Sequence, residues 1–303
     1  MKFKDIKLED KEVIQSFTLK HWRRNCELSF VNLYSWSFLY HTKYAVADDF
    51  LFIRFFSANE LVYVIPIGEG FLKRPLEAII NDAKLLGKPF RIQGACQNLC
   101  EELENAMPNT FKYSANRKYS DYIYLRENLV TLKGKKLQSK RNFINRFLKN
   151  NSNYQYKKLT PDLVQQCIDL EYLWYSKNIT AEEADALLAE RTALTFALNN
   201  LETLEILGGV LFVNDKIAAF TYGCPINYET FDVCIEKADT NIEGAYTMIN
   251  NEFAKHIPEQ YKYINREEDL DIPGLRKAKL SYHPEMILEK YNVELLNIIF
   301  SCY

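Results

Sequence analysis

The chain has no pair of cysteines at CxxC spacing and no HExxH, and its four histidines, His21, His41, His256 and His283, stand far apart. Neither a zinc nor an iron site is expected from such spacing. The seven cysteines are scattered and odd in number, as in a reducing compartment, so free thiols and a cytoplasmic location are expected. No run approaches the roughly 18 apolar residues of a membrane-spanning helix. The start, MKFKDIKLEDKEV, is too polar for a signal peptide. A net charge of −2 argues against a wholesale nucleic-acid binder and leaves only local patches to consider. The motif Gly68-Glu69-Gly70 lacks a third glycine and is followed by Lys73-Arg74-Pro75. It reads as a strand-to-helix loop rather than a phosphate cradle.

What is present suits two domains. The 303 residues are 48% apolar and 26% charged, with 20 tyrosines and 19 phenylalanines, a composition that favours sheets with deep clefts. In the first half, helical spacing predicts helices over 7–20 and 26–40, the second with a core stripe of Phe30, Leu33, Tyr34 and Phe38. Strands follow over 44–47, 50–56 and 61–65, then a helix over 76–86, a strand at 90–93, a helix over 97–106 and strands at 111–113 and 119–125. Residues 133–149 carry seven basic side chains and no acid. With an apolar seam of Leu137, Ile144, Phe147 and Leu148, they read as a basic linker helix.

The second half opens with a strand at 154–158. Two helices follow, over 161–174 and 182–199, the latter capped by Thr180 with Glu183 at capping-box spacing. Residues 204–246 then organise the rest. Strands over 204–213 and 216–223 are joined by Asn214-Asp215, a hairpin signal, and a third strand covers 230–237. Gly244-Ala245 begins a helix to His256, an end where backbone N–H groups favour a phosphate or a developing negative charge. A strand at 261–265, an acid-rich loop at 266–273, a helix over 274–282 and strands at 284–289 and 293–300 finish the chain.

The order of the second half, β, α, α, β, β, β, α, β, α, β, β, resembles that of the GCN5-related N-acetyltransferase fold. The first half repeats it without a clear first strand and without residue-level self-similarity. The expectation is a mixed α/β (α+β) protein of two tandem domains of that kind, each a mixed, mostly antiparallel sheet flanked by helices. The boundaries expected are 1–132, a basic linker helix at 133–150, and 151–303.

Gly274-Leu-Arg-Lys-Ala-Lys-Leu-Ser-Tyr-His-Pro284, followed by Tyr291, resembles the closing motif of the phosphatidylglycerol lysyltransferase C-terminal domain family. Phe30-Val-Asn-Leu-Tyr34 and the basic 140–148 segment resemble that family's membrane-free members. The resemblance runs the length of the chain. It implies transfer of an acyl or aminoacyl group, from aminoacyl-tRNA or from acyl-coenzyme A as co-substrate, to an amine or hydroxyl acceptor. No tightly bound cofactor is implied. The alternative is a catalytically silent ligand- or RNA-binding protein that retains the tandem fold. Coenzyme A-binding members carry Arg/Gln-x-x-Gly-x-Gly/Ala at the helix start. Here Asn241-Ile-Glu-Gly244-Ala-Tyr246 has a single glycine, so fewer free N–H groups face a pyrophosphate.

Acyl transfer to an amine needs a base, a donor for the carbonyl oxyanion and a proton for the leaving group. Glu236, near the end of its strand, stands where a base would sit beside the splayed strands. Tyr282 stands where the fold places a leaving-group acid. Asn241, Gly244 and Ala245 at the helix start, with Lys136, Lys140 and Arg141 of the basic segment, are candidates for the donor's phosphates. Asn265, Glu267 and Glu268, with Asp269 beside them, are candidates for selecting a cationic acceptor such as a peptide amine. The basic segment also suits a charged tRNA or a peripheral contact with anionic lipid.

Overall fold

The computed structural model of the protein describes residues 1–178 and 184–296. The expected cap at Thr180 and Glu183, and the end of the expected last strand at 297–300, lie outside the described residues. The first sheet begins with β1 (Lys4–Asp5), β2 (Lys43–Ala47), β3 (Phe50–Ser57) and β4 (Glu60–Tyr63), with the short β5 (Ile67–Gly68) on β3. It continues with β6 (Arg91–Ala95) and β7 (Phe111–Ala115). Next along the chain come β8 (Asp121–Leu125), β9 (Gln155–Lys158), β10 (Leu207–Val213), β11 (Lys216–Pro225) and β12 (Thr230–Ala238). The last strands are β13 (Tyr263–Asn265), β14 (Met286–Leu288) and β15 (Tyr291–Leu295).

The two sheets have the same order, β1-β2-β3-β4-β6-β15-β7 and β9-β10-β11-β12-β13-β8-β14. In each, the sixth place is filled by a strand from the other half. β15 runs antiparallel between β6 and β7, and β8 runs antiparallel between β13 and β14. One neighbour pair in each sheet is parallel, β4 with β6 and β12 with β13. That is where the fold opens. The exchange moves the boundaries expected at 132 and 151, because β8 completes the second sheet and β15 the first. A strand's partner is set by the edge it completes and is not written in its own composition. The unexpected β1 is two exposed residues, too short and polar to signal a strand.

The first eight α-helices among the described residues are α1 (Lys11–Thr18), α2 (Phe30–Ser35), α3 (Ser37–Tyr40), α4 (Lys73–Leu85), α5 (Gln97–Ala106), α6 (Arg126–Thr131), α7 (Gln138–Asn150) and α8 (Val164–Asn178). Three more follow, α9 (Ala184–Asn199), α10 (Ala245–His256) and α11 (Pro273–Leu280). One hydrophobic core joins both halves: Ile14, Phe30, Leu51 and Ile53 pack with Cys167, Leu194, Val210 and Phe220. The far face of the second sheet is covered by α7 and α10 through Phe147, Met248, Ile249 and Phe253. The basic segment is not one continuous helix. Left-handed Leu132 (φ 50°) separates α6 from a short turn at Lys135–Leu137, and α7 follows. Of the expected seam, Phe147 and Leu137 are buried, whereas Leu148 is exposed.

The crossing back into the first sheet is clamped by Lys290, just ahead of β15. Its ammonium is 2.6 Å from Glu27, 2.7 Å from Asp121 and 3.0 Å from Glu268, and the residue is buried. Burial opposes its charge, but the three carboxylates hold its pKa well above the ordinary value. β15 itself places Val293, fully buried, among Ile92 and Phe111. Val293→Ala is expected to cost roughly 2 kcal/mol and to speed amide exchange in β6 and β7, the two strands that β15 joins. Faster exchange confined to β13 and β14 would contradict the exchanged-strand assignment.

Candidate functional site

The last paired residues of β12 and β13 are Asp232 and Asn265, and beyond them the two strands part. A bulge in β12 decides what faces the gap. The register with β11 moves from Gly223–Val233 to Tyr222–Ile235, leaving Cys234 unmatched. One extra residue reverses the alternation. Glu236 therefore joins Phe231 and Val233 on the α10 face, where its Oε2 accepts from Asn250 Nδ2 at 3.0 Å. Asp232 turns to the other face, where it accepts from Asn32 of α2 at 3.1 Å.

On the α10 face the gap is bridged by an ion pair. Arg266, just past β13, donates from Nη2 to Glu236 Oε1 at 3.1 Å, and both side chains are only 12% exposed. Its guanidinium carbon lies 4.8 Å from the Tyr282 ring centre and 5.6 Å from that of Tyr124. Burial disfavours the charge on Arg266, but Glu236 together with the Tyr124 and Tyr282 phenols outweighs it and raises the pKa. Lys140 of α7 reaches the same place, with Nζ 3.9 Å from the Tyr282 ring centre. Burial, with Arg266 nearby, lowers the Lys140 pKa to about 8, and burial pushes the Tyr282 phenol up to about 12. Two polar atoms of this cluster are buried without a partner: Arg266 Nη1, a donor, and Asn250 Oδ1, an acceptor. Both belong to side chains held by the same carboxylate, Glu236.

Glu236 and Tyr282, the expected base and acid, thus lie in one cluster. Tyr282 stands two residues past the end of α11 and is linked to Thr247 of α10. Of the basic residues expected at a phosphate, Lys140 is buried in this cluster rather than displayed on the surface. Arg141 donates to the carbonyls of Leu132 and Gly134 and lines a cavity of about 330 Å³ with Asn145, Asn251 and Lys255. Lys136 is exposed on the turn before α7.

The helix start differs from its expected use. Gly244 has φ 85°, and a Cβ there would lie 2.7 Å from the Phe143 carbonyl oxygen and 3.0 Å from Phe147 Cβ. Its glycine serves close packing of α7 on α10, not the approach of a donor. Ala245 is buried, and Asn241 turns back to Asp239. Because Gly244 and Tyr282 both touch α7, they lie on the same face of the second sheet.

Asn265, Glu267 and Glu268 are not an open acidic loop. Asn265 is fully buried and donates to the Arg24 carbonyl at 2.7 Å and to Asp121 at 2.9 Å. Glu268 is held by Lys290, and Asp269 by Arg276 and the Tyr122 hydroxyl. Glu267 accepts from Asn32 at 2.8 Å, and burial together with the Glu268 charge raises its carboxyl to about 8. An acid-rich run reads as solvated, and here it is folded between the two sheets. Sequence reasoning missed Arg266 and Asn250. The lone basic residue ahead of Glu267-Glu268-Asp269 was a usable signal for the first; nothing marks the second.

The profile described as "Phosphatidylglycerol lysyltransferase, C-terminal" matches residues 21–294. A conserved protein of unknown function from Bacteroides thetaiotaomicron is 54% identical, with TM-score 0.94 over 97% of this chain and 99% of that one. The C-terminal domain of a putative lysylphosphatidylglycerol synthetase from Agrobacterium fabrum has the same fold at 13% identity, with TM-score 0.68 over 95% of this chain and 90% of that one. An uncharacterised protein of Mycoplasmoides gallisepticum is 27% identical over 58% of this chain, and the match spans 56% of that relative's length. Among the described residues no helix is long and apolar enough to cross a membrane.

Two outcomes follow from the packing around α7. Gly244→Ala, and more so Gly244→Val, should lower stability by at least about 1–2 kcal/mol in urea unfolding, from the left-handed backbone and the contact with Phe143. An unchanged midpoint would contradict the close approach. Lys140→Met should be more stable than the parent at pH 7. Native Lys140 loses its proton near 8 and the unfolded chain near 10.5, so between those values the native state binds fewer protons and parental stability rises with pH. The burial cost is fully present below about 8, and the advantage of methionine should shrink towards pH 10.5. A difference independent of pH would contradict a buried, depressed Lys140.

Proposed function

The chain belongs to the phosphatidylglycerol lysyltransferase C-terminal family, and from that premise we propose that it transfers an aminoacyl group from aminoacyl-tRNA to an amine or hydroxyl acceptor. The observation that carries this reading is the unpartnered pair on one carboxylate, Arg266 Nη1 and Asn250 Oδ1. A donor and an acceptor fixed by Glu236 match the two ends of an aminoacyl ester. Its carbonyl oxygen takes the Arg266 hydrogen bond, and its amino group donates to Asn250. Arg266 is charged and already desolvated, so it stabilises the tetrahedral oxyanion without reorganising. Glu236 has both oxygens engaged, which suits it to orienting Arg266 and Asn250 more than to taking a proton. Lys140, neutral above about pH 8, removes the proton of the attacking amine or hydroxyl. Tyr282, protonated up to about 12, gives one to the leaving ribose oxygen.

A tRNA donor is favoured over acyl-coenzyme A by two features. The start of α10 is closed by α7 where a pyrophosphate would approach Gly244. Beside the cluster, Lys135, Lys136, Arg146 and Lys149 are exposed along the α7 segment, a stripe suited to a polyanion. The same stripe suits peripheral contact with an anionic lipid surface carrying the acceptor.

The test follows ester loss from a mixture of aminoacyl-tRNAs, and thioester loss from acetyl-coenzyme A, with lysine, a short peptide or phosphatidylglycerol vesicles as acceptor. The parent should consume an aminoacyl-tRNA, with a rate that climbs to a plateau above about pH 8. Arg266→Met should slow the reaction by roughly 10²–10³-fold, the usual cost of one oxyanion donor. Tyr282→Phe should slow it by roughly 10²-fold with tRNA binding intact. Consumption of acetyl-coenzyme A alone would overturn the choice of donor, and an Arg266→Met protein as fast as the parent would overturn the site.

A further inference from the structure

The face of β12 turned away from Glu236 carries a second group of side chains that the transfer reaction does not use. Cys224 on β11 and Asp232 and Cys234 on β12 bring two sulfurs and a carboxylate oxygen within 4.8 Å of one another. The sulfurs are 3.9 Å apart, and Cys234 Sγ is 3.6 Å from Asp232 Oδ2. A tetrahedral zinc with Zn–S near 2.3 Å and Zn–O near 2.0–2.1 Å requires ~3.8 Å between sulfurs and ~3.6 Å from sulfur to oxygen. The bulge that re-aims Glu236 also brings Cys234 alongside Cys224. Absence of CxxC spacing argued against zinc, but the β11–β12 hairpin brings residues ten apart in sequence to ligand distance.

Charge points the same way. Asp232 is fully buried and its Oδ1 has no hydrogen-bond partner. Asn32 Nδ2 is shared between Asp232 at 3.1 Å and Glu267 at 2.8 Å, which places a second carboxylate at the edge of the group. The Ser29 hydroxyl also sits beside Asp232 and Cys224. The neighbouring cluster of Cys26, Glu27, Asp121 and Glu268 is comparable but has its cation, the Lys290 ammonium. Among the described residues no lysine or arginine stands at ion-pair distance from Asp232, while the buried Lys279 ammonium acts on Glu267 from further off. A carboxylate buried without a cation is costly, and two thiols beside Asp232 select a thiophilic divalent ion.

We propose that Cys224, Asp232 and Cys234 bind one zinc ion. On binding, the metal displaces the protons carried by its thiol and carboxyl ligands, which pass to solvent. The ion sits where β12 leaves β13 and joins β11 to β12. It is a positioning element beneath the Glu236–Arg266 bridge rather than a participant in acyl transfer.

The test uses the reduced full-length protein, stripped with a chelator and titrated with Co²⁺. One equivalent should give thiolate-to-cobalt charge-transfer absorption and tetrahedral d–d bands, and one equivalent of Zn²⁺ should abolish them. Cys234→Ser should lose the charge-transfer signal or at least halve it, and Asp232→Asn should weaken Co²⁺ binding at least tenfold. Cys100→Ser, far away on α5, should titrate like the parent. The proposal is overturned if the parent shows no thiolate-to-cobalt band at one equivalent, or if Cys234→Ser titrates unchanged. Protein that forms a Cys224–Cys234 disulfide when isolated without reductant, and takes up no Zn²⁺ once reduced, would overturn it too. The parental titration decides the matter even where a variant folds poorly.

Discussion

Where β12 and β13 separate, the backbone no longer supplies hydrogen bonds across the sheet, and the Glu236–Arg266 pair takes over that task. A buried ion pair of this kind contributes little net stability, because both ions give up water to form it. Its value is positional. Glu236 holds Arg266 with one oxygen and Asn250 with the other, so an unpartnered donor and an unpartnered acceptor are presented at fixed places. Polar atoms left unmatched in a folded interior are costly, so each calls for a partner that completes it.

The exchanged strands connect this site to the whole chain. β8 passes from the first half into the second sheet and brings Tyr124, whose hydroxyl donates to the Lys279 carbonyl at 2.8 Å and whose ring faces Tyr282. The ammonium of Lys279 in turn donates to the carbonyls of Arg266 and Glu268. The loop that carries Arg266 is thereby set by an element of the first half, while Lys290 holds Asp121 of β8 against Glu27 and Glu268. Neither half completes its own sheet, so each sheet is built from both halves.

Much of the fold was legible because local chemistry and tertiary structure agree. The helix over Gln97–Ala106 was read to the residue, and the Asn214-Asp215 turn has both residues left-handed (φ 51° and 59°), as a two-residue hairpin requires. Glu236 and Tyr282 were expected beside the splayed strands on the resemblance to a fold, and both lie against Arg266. What stayed hidden was non-local. The strand exchange depends on edge pairing, and the bulge at Cys234 adds one residue that no alternation rule reveals. The glycine at 244 was read as room for a ligand, whereas it is room for a neighbouring helix. The acid-rich run after Asn265 looked like solvent-facing charge because composition cannot show Lys290, Arg276 and Asn32 arriving from distant parts of the chain.

The central claim is that the α10 side of the β12–β13 gap receives an aminoacyl ester. The most direct measurement is a crystal structure of the protein with a hydrolysis-resistant aminoacyl-adenosine in which an amide replaces the ester. The account places the amide oxygen within hydrogen-bond distance of Arg266 Nη1 and the amino group within reach of Asn250 Oδ1, with Tyr282 beside the ribose. A ligand seated on the α2 side of the gap, or elsewhere with Arg266 and Asn250 left as they are, would contradict it.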